Sequence, residues 1–247
     1  MRKMILNKQF KLFTLQIVFL LTACAHIPSK ELKTFMQVDF EVSKKNCDKS
    51  PHDEEDPCLF YKQVGSAVVV NRQENGVHVL TAGHICGGMR EAIKDVQERT
   101  SLDVVDISSV TRSIDLSMHP IMSIVAEDLE NDLCLLFVPG TTSLVAEISN
   151  DAQLYGDEVF SVSAARGFMS YYVVPYFSGH FSGGDSRYSI FTFPSAMGSS
   201  GGPIFNKDGE IVGIVSQIHK SFHHIVMSPS LVNIKKFVHD NLNDDRE

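Results

Sequence analysis

Most of this chain consists of short runs of apolar and β-branched residues that alternate with turn residues. In the first half, these runs are residues 65–70, 77–81, 102–110, 117–125 and 133–138. In the second half, they are residues 158–163, 171–177, 189–193, 211–217 and 223–227. Runs of this length and composition are typical of β-strands, and the Gly and Asn residues between them favour hairpins. The pattern predicts an all-β fold with two groups of antiparallel strands rather than alternating strands and helices.

Three segments follow a different pattern. Residues 24–58 are polar and charged, and we expect a tether with one strand around residues 35–42. Residues 91–99 are charged and fit either a helical turn or a loop. Near the C-terminal end the apolar residues recur at helical spacing, with Ser228 or Ser230 as the N-cap: Leu231, Ile234, Phe237, Val238 and Leu242. The sequence therefore predicts one C-terminal helix.

The first 23 residues have the features of an export signal. The segment opens with four basic residues and no acidic one: Arg2, Lys3, Lys8 and Lys11. The apolar run that follows, residues 12–21, is short for a membrane span. It ends in Leu21-Thr22-Ala23-Cys24, which resembles the bacterial lipobox. This resemblance implies that residues 1–23 are a lipoprotein signal peptide and that Cys24 is lipidated. An ordinary signal peptide with a chance cysteine is the alternative.

The lipobox resemblance also implies a location. Lipidation of Cys24 would anchor the chain to the cell envelope, and Ala25 after it favours the outer membrane, facing the periplasm. Loss of the four basic residues would take the formal net charge from −8 to about −12. General nucleic-acid binding requires a basic surface, so we expect no nucleic-acid partner. With 247 residues, 43% hydrophobic and 21% charged, the chain otherwise resembles an ordinary globular protein.

Four cysteines remain after the signal: Cys47, Cys58, Cys86 and Cys134. An even number in an exported chain indicates two disulfides, for which three pairings are possible. Zinc is the competing explanation, but no closely spaced pair of Cys or His ligands stands out. We therefore expect neither a metal nor a cofactor.

The candidate chemistry centres on Gly198-Ser199-Ser200-Gly201-Gly202-Pro203, which lies between two strand-like runs. Glycines let this backbone approach a substrate carbonyl, and the N–H groups of Gly198 and Ser200 would form an oxyanion hole. A plain Gly/Ser turn is the alternative. Two earlier residues favour catalysis, because His84 follows a strand and Asp132 opens a buried one. A serine becomes a nucleophile when a histidine takes its proton and an aspartate orients that histidine. Asp128 is the rival acid.

Together these motifs resemble the chymotrypsin-like (trypsin-fold) serine proteases of the bacterial type. Thr81-Ala82-Gly83-His84 matches the segment around the catalytic histidine of that family. Asp132-Leu133-Cys134 resembles the segment that carries the family's aspartate, and the hexapeptide at residues 198–203 resembles its nucleophile loop. The resemblance covers about residues 61–237. It implies a triad of His84, Asp132 and Ser200, with Ser216 on the substrate-aligning strand in contact with the aspartate. It also implies two six-stranded antiparallel β-barrels, at residues 59–143 and 144–247, with the C-terminal helix in the second.

The resemblance further implies a disulfide pairing. The histidine and aspartate must touch in this family, and Cys86 and Cys134 each lie two residues beyond them. We therefore expect Cys86–Cys134, together with a local Cys47–Cys58 bridge that would close a small loop around the acidic run between them.

Several positions depart from the family pattern. Ser199 stands where zymogen-activated members have an Asp, so we expect no activation by proteolysis. Pro194 stands where trypsins keep an acidic pocket residue, and Ile218 where open pockets often have Gly. Together with Ser216 and Gln217, these residues are expected to bind substrate in a shallow pocket that prefers small or medium apolar side chains.

A small histidine cluster, His219, His223 and His224, follows the substrate-aligning strand. The first two are four residues apart, as helical metal ligands would be. Their hairpin-like context favours a surface loop near the cleft, with a role in substrate selection left open.

The sequence therefore predicts a serine endopeptidase that acts on proteins or peptides. A trypsin-fold binding protein with weak or absent catalysis is the alternative, and a lipase or esterase is a third hypothesis. The hexapeptide also fits the G-x-S-x-G elbow of α/β-hydrolases. That fold requires the order Ser, acid, His and a helix after the serine, which Pro203 opposes.

Overall fold

In the computed structural model, the described residues form two antiparallel β-sheets of seven strands each. The structure describes residues 29–45, 59–99, 105–121, 123–141 and 143–242. The strands of the first sheet are β1 (Phe35–Lys44), β2 (Leu59–Gln73), β3 (Gly76–Ala82), β4 (Val105–Ser113), β5 (Met118–Pro120), β6 (Ser123–Asp128) and β7 (Leu133–Pro139). Those of the second are β8 (Glu158–Val162), β9 (Tyr176–Gly184), β10 (Tyr188–Thr192), β11 (Pro203–Phe205), β12 (Ile211–Ile214), β13 (Gln217–Ile218) and β14 (Ile225–Pro229). The helices are α1 (Ser29–Leu32), α2 (Gly83–Arg99) and α3 (Leu231–Leu242).

The strands of the first sheet lie in the order β5-β4-β1-β2-β3-β7-β6. The hairpin expected at residues 71–76 joins β2 to β3, with Gln73 opposite Gly76. β1 lies inside the sheet, third of the seven described strands, and pairs with both β2 and β4. The segment expected to be a tether thus supplies a central strand.

The second sheet has the order β12-β11-β8-β9-β10-β14-β13 and is followed by α3. Ser230 caps this helix, because its Oγ accepts the N–H of Asn233 at 3.3 Å. The other candidate cap, Ser228, instead accepts the N–H of Ile214. Among the described residues, no helix is long and apolar enough to cross a membrane.

One buried apolar cluster joins the two sheets. It includes Leu133 and Leu135 from the first sheet, Phe205 and Ile214 from the second, and Phe237 from α3. Removal of these side chains from water is the main force that holds the sheets together. The ends of β3 and β7 are consequently held close to the loop before β11.

These findings confirm an all-β fold with two antiparallel sheets and a C-terminal helix, with one correction: in the described residues each sheet has seven strands rather than six. In the first sheet, the run at residues 117–125 divides into β5 and β6, which pair with different neighbours. In the second, β12 and β13 are separate because the N–H of Val215 bonds Gly202 and that of Ser216 bonds Met227.

Candidate active site

His84 lies in the first turn of α2, directly after β3. Gly83 makes this position possible, because a Cβ there would lie 3.0 Å from the backbone of Asp132 and Leu133. β3 pairs with β7 with Ala82 opposite Leu133, so the residue before β7 faces the start of the helix. The sheet register therefore brings His84 and Asp132 together.

The Asp132 carboxylate is the centre of a hydrogen-bonded group. It accepts the backbone N–H of His84 at 2.7 Å and lies 3.0 and 3.1 Å from the Nδ1 atom of the His84 ring. Ser216 donates its hydroxyl to the same carboxylate at 2.5 Å. The rival Asp128 instead accepts two hydrogen bonds from Asn131. Of the two acids, Asp132 is the one in contact with His84.

The environment of Asp132 keeps its carboxyl group ionised. Burial raises the pKa of this group, but the hydrogen bonds from His84 and Ser216 outweigh burial, so the pKa lies below its ordinary value of 3.8. The negative charge faces the Nδ1 side of the ring. It can therefore hold the proton on Nδ1 and stabilise an imidazolium.

The loop that carries Ser200 presents two unused N–H groups. The N–H of Ser199 bonds Ala196 at 3.0 Å, that of Gly201 bonds Val215 at 2.7 Å, and that of Gly202 bonds Ser199 at 2.8 Å. Among the described residues, the N–H groups of Gly198 and Ser200 have no acceptor. Gly198 has φ +91°, a conformation that side chains resist. The free pair is therefore available to an anionic oxygen.

Ser66 of β2 fastens this loop to the first sheet. Its N–H donates to the carbonyl of Ser200 at 2.7 Å, and its hydroxyl donates to the carbonyl of Gly198 at 2.8 Å. The same hydroxyl accepts the N–H of Ala164 at 2.9 Å. Ser66 is not among the predicted site residues, although a serine inside the apolar run 65–70 is a usable sign of a buried polar role.

The His84 side chain is 45% exposed, and Ser200 is half-buried. Within the described residues, no hydrogen bond joins them. Such bonds are often long or misaligned in a site without substrate and tighten when substrate binds. The Nε2 atom of His84 is the ring atom left free by Asp132.

Ser199 is buried at 1% exposure, and its hydroxyl accepts a hydrogen bond from Ser163 at 3.0 Å. Of the predicted substrate-binding residues, Pro194 and Gln217 are exposed and Ser216 is bonded to Asp132. Ile218 lines a cavity beside the loop, together with His219 and His223. The third histidine of the cluster, His224, contacts the ring of Phe222.

The Cys86–Cys134 disulfide is present, with Cα atoms 6.4 Å apart. It joins the helix of His84 to the strand that follows Asp132. Together with Glu127 these cysteines form the one group of potential metal ligands in the described part of the chain, but sulfurs bound to each other are not thiolate ligands. The predicted Cys47–Cys58 bridge and the lipidation site Cys24 lie outside the described residues.

The two joined sheets and the C-terminal helix form a trypsin-like fold. The family is shown by sequence as well: a model of the "Trypsin-like peptidase domain" matches residues 65–214, and the chain belongs to this family. No curated protein sequence matches the chain.

Two solved structures are similar over most of the chain. The first is the serine endoprotease from Yersinia pestis, with 17% identity and a TM-score of 0.59, covering 90% of this chain and 70% of that one. The second is the Rv3671c protease from M. tuberculosis in its active form, with 12% identity and a TM-score of 0.60, covering 87% and 83%. At these identities the likeness supports the fold alone.

Proposed function

We propose that this protein is a serine endopeptidase with Ser200 as nucleophile, His84 as general base and acid, and Asp132 as the residue that orients His84. Membership of the trypsin-like peptidase family supports a peptidase that acts on protein or peptide substrates. The observation that carries the assignment is the contact of Asp132 with the Nδ1 atom of His84, made while Ser216 holds the same carboxylate.

The reaction follows from these positions. The Oγ atom of Ser200 attacks the scissile carbonyl while its proton passes to Nε2 of His84. The N–H groups of Gly198 and Ser200 bind the oxyanion, and each such donor lowers the barrier by about 3–4 kcal/mol. His84 then returns the proton to the leaving amine as the C–N bond breaks. Water, deprotonated by His84, releases the acyl group as a carboxylic acid and restores Ser200.

We also propose that the site forms without proteolytic activation. The Ser199 hydroxyl has a partner inside its own half of the molecule, Ser163, so its position does not depend on a new N-terminus. A chain purified uncut should therefore be active. Activity that begins only after clipping would contradict this.

The test of the function is hydrolysis of casein and of a quenched fluorescent peptide library by the full chain. Wild-type protein is expected to cleave both, and Ser200→Ala is expected to lose at least about 10⁴-fold in kcat/KM because the nucleophile is gone. Ser178→Ala, an exposed serine on β9, is the matched control and should retain activity. Folded wild-type protein that binds peptides without cleaving them would support a binding protein instead, and faster turnover of short acyl esters than of peptides an esterase.

Export and lipid anchoring form a separate proposal, supported by the basic residues, the apolar run and Leu21-Thr22-Ala23-Cys24. Expression in a bacterium with radiolabelled palmitate should label the chain, and Cys24→Ala should abolish the label. A labelled Cys24→Ala chain, or a wild-type chain that is exported but unlabelled, would contradict the anchor.

A further inference from the structure

A cavity of about 290 Å³ lies beside the nucleophile loop. Residues 195–197 line part of it and run directly into Gly198. Residues 218–220 line another part and follow Ser216, whose hydroxyl binds Asp132. A carbonyl held by the N–H groups of Gly198 and Ser200 would therefore direct the side chain of its own residue, the P1 residue of a substrate, toward this cavity.

Backbone hydrogen bonds fix the lining in place. The N–H of Arg166 donates to the carbonyl of Met197 at 2.6 Å, and the N–H of Ser195 donates to the carbonyl of His223 at 3.0 Å. A side-chain substitution in the lining should consequently leave the backbone around the cavity in place.

Ser195 brings an unpartnered hydroxyl to this cavity. The residue is 6% exposed, and its Oγ atom makes no hydrogen bond with any described residue. A buried hydroxyl without a partner costs free energy, so a position of this kind beside a cavity favours a ligand with a polar group.

The charged groups around the cavity are basic. Arg166 and Lys220 line it, none of the described lining residues is Asp or Glu, and neither basic side chain has a carboxylate partner among the described residues. The whole chain, by contrast, has a formal net charge of −8. A local positive charge in an acidic protein, next to a candidate catalytic serine, favours an anionic ligand.

One of the two histidines adds a free hydrogen-bond donor. Nδ1 of His219 accepts the N–H of Ser221 at 3.3 Å, which leaves the proton on Nε2 of that ring available to an acceptor. Nε2 of His223 donates to the carbonyl of Lys220 at 3.2 Å. The two rings are therefore held by the loop on which they lie.

We propose that this cavity binds an acidic P1 side chain, so that the enzyme cleaves after Asp or Glu. A carboxylate would pair with Arg166 and accept hydrogen bonds from the Ser195 hydroxyl and the His219 ring. This specificity rests on the proposed peptidase function. It differs from the expectation of an apolar pocket: Ala196, Met197 and Ile218 do line the cavity, and the proposal assigns the specificity to the basic and hydroxyl groups beside them.

The test uses four peptide substrates that differ only in P1: Glu, Gln, Leu and Lys. Glu and Gln have the same shape, so their ratio of kcat/KM measures the effect of the charge. The full wild-type chain should prefer Glu over Gln by at least about tenfold, the usual gain from a charge-assisted hydrogen bond. A ratio near one, or a preference for Leu or Lys, would overturn the inference while the peptidase function stands.

Two variants test whether the preference for Glu over Gln arises in this cavity. Arg166 has φ +59°, and Asn tolerates this conformation well, so Arg166→Asn removes the charge with little backbone strain. Ser195→Ala removes only the buried hydroxyl, which should leave thermal stability unchanged or higher. Each should lower the Glu/Gln ratio several-fold, and Lys207→Ala, an exposed lysine elsewhere, should leave it unchanged. A ratio that neither pocket variant lowers would contradict the assignment to this cavity.

Failure of catalysis is distinguishable from failure of the specificity. If wild-type protein cleaves none of the four peptides, binding of amidated fluorescent peptides with Glu or Gln at P1 is measured by anisotropy on the Ser200→Ala chain. Tighter binding of the Glu peptide supports the acidic pocket, and equal binding overturns it.

Discussion

Asp132 has an unusual backbone conformation, and its carboxylate accepts hydrogen bonds from three donors. Its φ of +53° lies in the left-handed region, which is uncommon outside glycine. From this position the carboxylate meets both the backbone N–H and the ring of His84, while Ser216 binds it from the segment between β12 and β13. Only 19% of the side chain is exposed, so its interaction with His84 is poorly screened by water.

Asp132→Asn should lower kcat by about 10³–10⁴-fold, because an amide does not hold the histidine proton on Nδ1. The measurement is peptide hydrolysis at neutral pH. Asp128→Asn is the matched control, since the Asp128 carboxylate accepts hydrogen bonds from Asn131 rather than from His84. A larger loss from the Asp128 variant than from Asp132→Asn would contradict the assignment.

The lowered pKa of Asp132 predicts a pH dependence of stability. Because the folded state favours the ionised carboxylate, this group stabilises the fold above its ordinary pKa of 3.8. The stabilisation is lost as the pH falls through the lower folded-state value. In urea unfolding, the difference in free energy of unfolding between wild type and Asp132→Asn should therefore be larger at pH 6 than at pH 2.5. If the difference in free energy of unfolding is larger at pH 2.5 than at pH 6, the pKa of Asp132 is not lowered in the folded state.

The loop between β10 and β11 depends on β2 for its position. Ser66 bonds the carbonyls on either side of Ser199, and Gly201 lies directly against the same strand. With φ +84°, a Cβ at Gly201 would lie 2.0 Å from the carbonyl oxygen of Ser66. Position 201 therefore requires glycine for two reasons: its backbone lies close to that of Ser66, and its φ is positive.

Gly201→Ala should consequently destabilise the protein more than a glycine substitution that meets only conformational strain. Gly140 is the matched control, because its φ is +72° and a Cβ there meets nothing within 4 Å. We expect about 1 kcal/mol for Gly140→Ala and at least about 2 kcal/mol more for Gly201→Ala, measured by denaturant unfolding. Equal losses would show that the contact with Ser66 is not close in solution.

Elements with a clear local pattern were predictable, and those set by distant partners were not. The hairpin at residues 71–76 and α3 follow their local patterns. Residues 171–177 look like a strand, yet β9 begins only at Tyr176, because Tyr172 has φ +54° and the segment turns back with Ser170 opposite Val173. Helix α2 extends back from the charged residues to Gly83, where contact with Asp132 decides its start.

At the scale of the whole molecule, the candidate site shows the same difference between residues with a local pattern and residues placed by distant partners. His84, Asp132 and Ser200 were identifiable because each lies in a contiguous motif. Ser66, Ser163 and Arg166 lie in no such motif. The packing of the first sheet against the second brings Ser66 to the loop, and the pairing of β8 with β11 within the second sheet brings Ser163 and Arg166 there. The basic lining of the cavity escaped the sequence analysis for this reason.

The disulfide links helix α2, which carries His84, to strand β7, which follows Asp132. Cys86 and Cys134 are 48 residues apart, and closing a loop of this length stabilises a fold by about 2–4 kcal/mol. The Cys86→Ala/Cys134→Ala double variant should lose about that much free energy of unfolding and retain the His84–Asp132 contact through the β3–β7 pairing. Unchanged stability would mean that the bridge does not form in the purified protein.

The most direct test of the central claim is the site at which a fluorophosphonate reacts with the folded full chain. The reagent forms a bond with an activated serine oxygen and releases fluoride, so intact mass followed by peptide mapping identifies the nucleophile. The account predicts one adduct, on Ser200, that forms far more slowly in His84→Ala. A folded protein that gains no adduct, or an adduct on another serine, would contradict it.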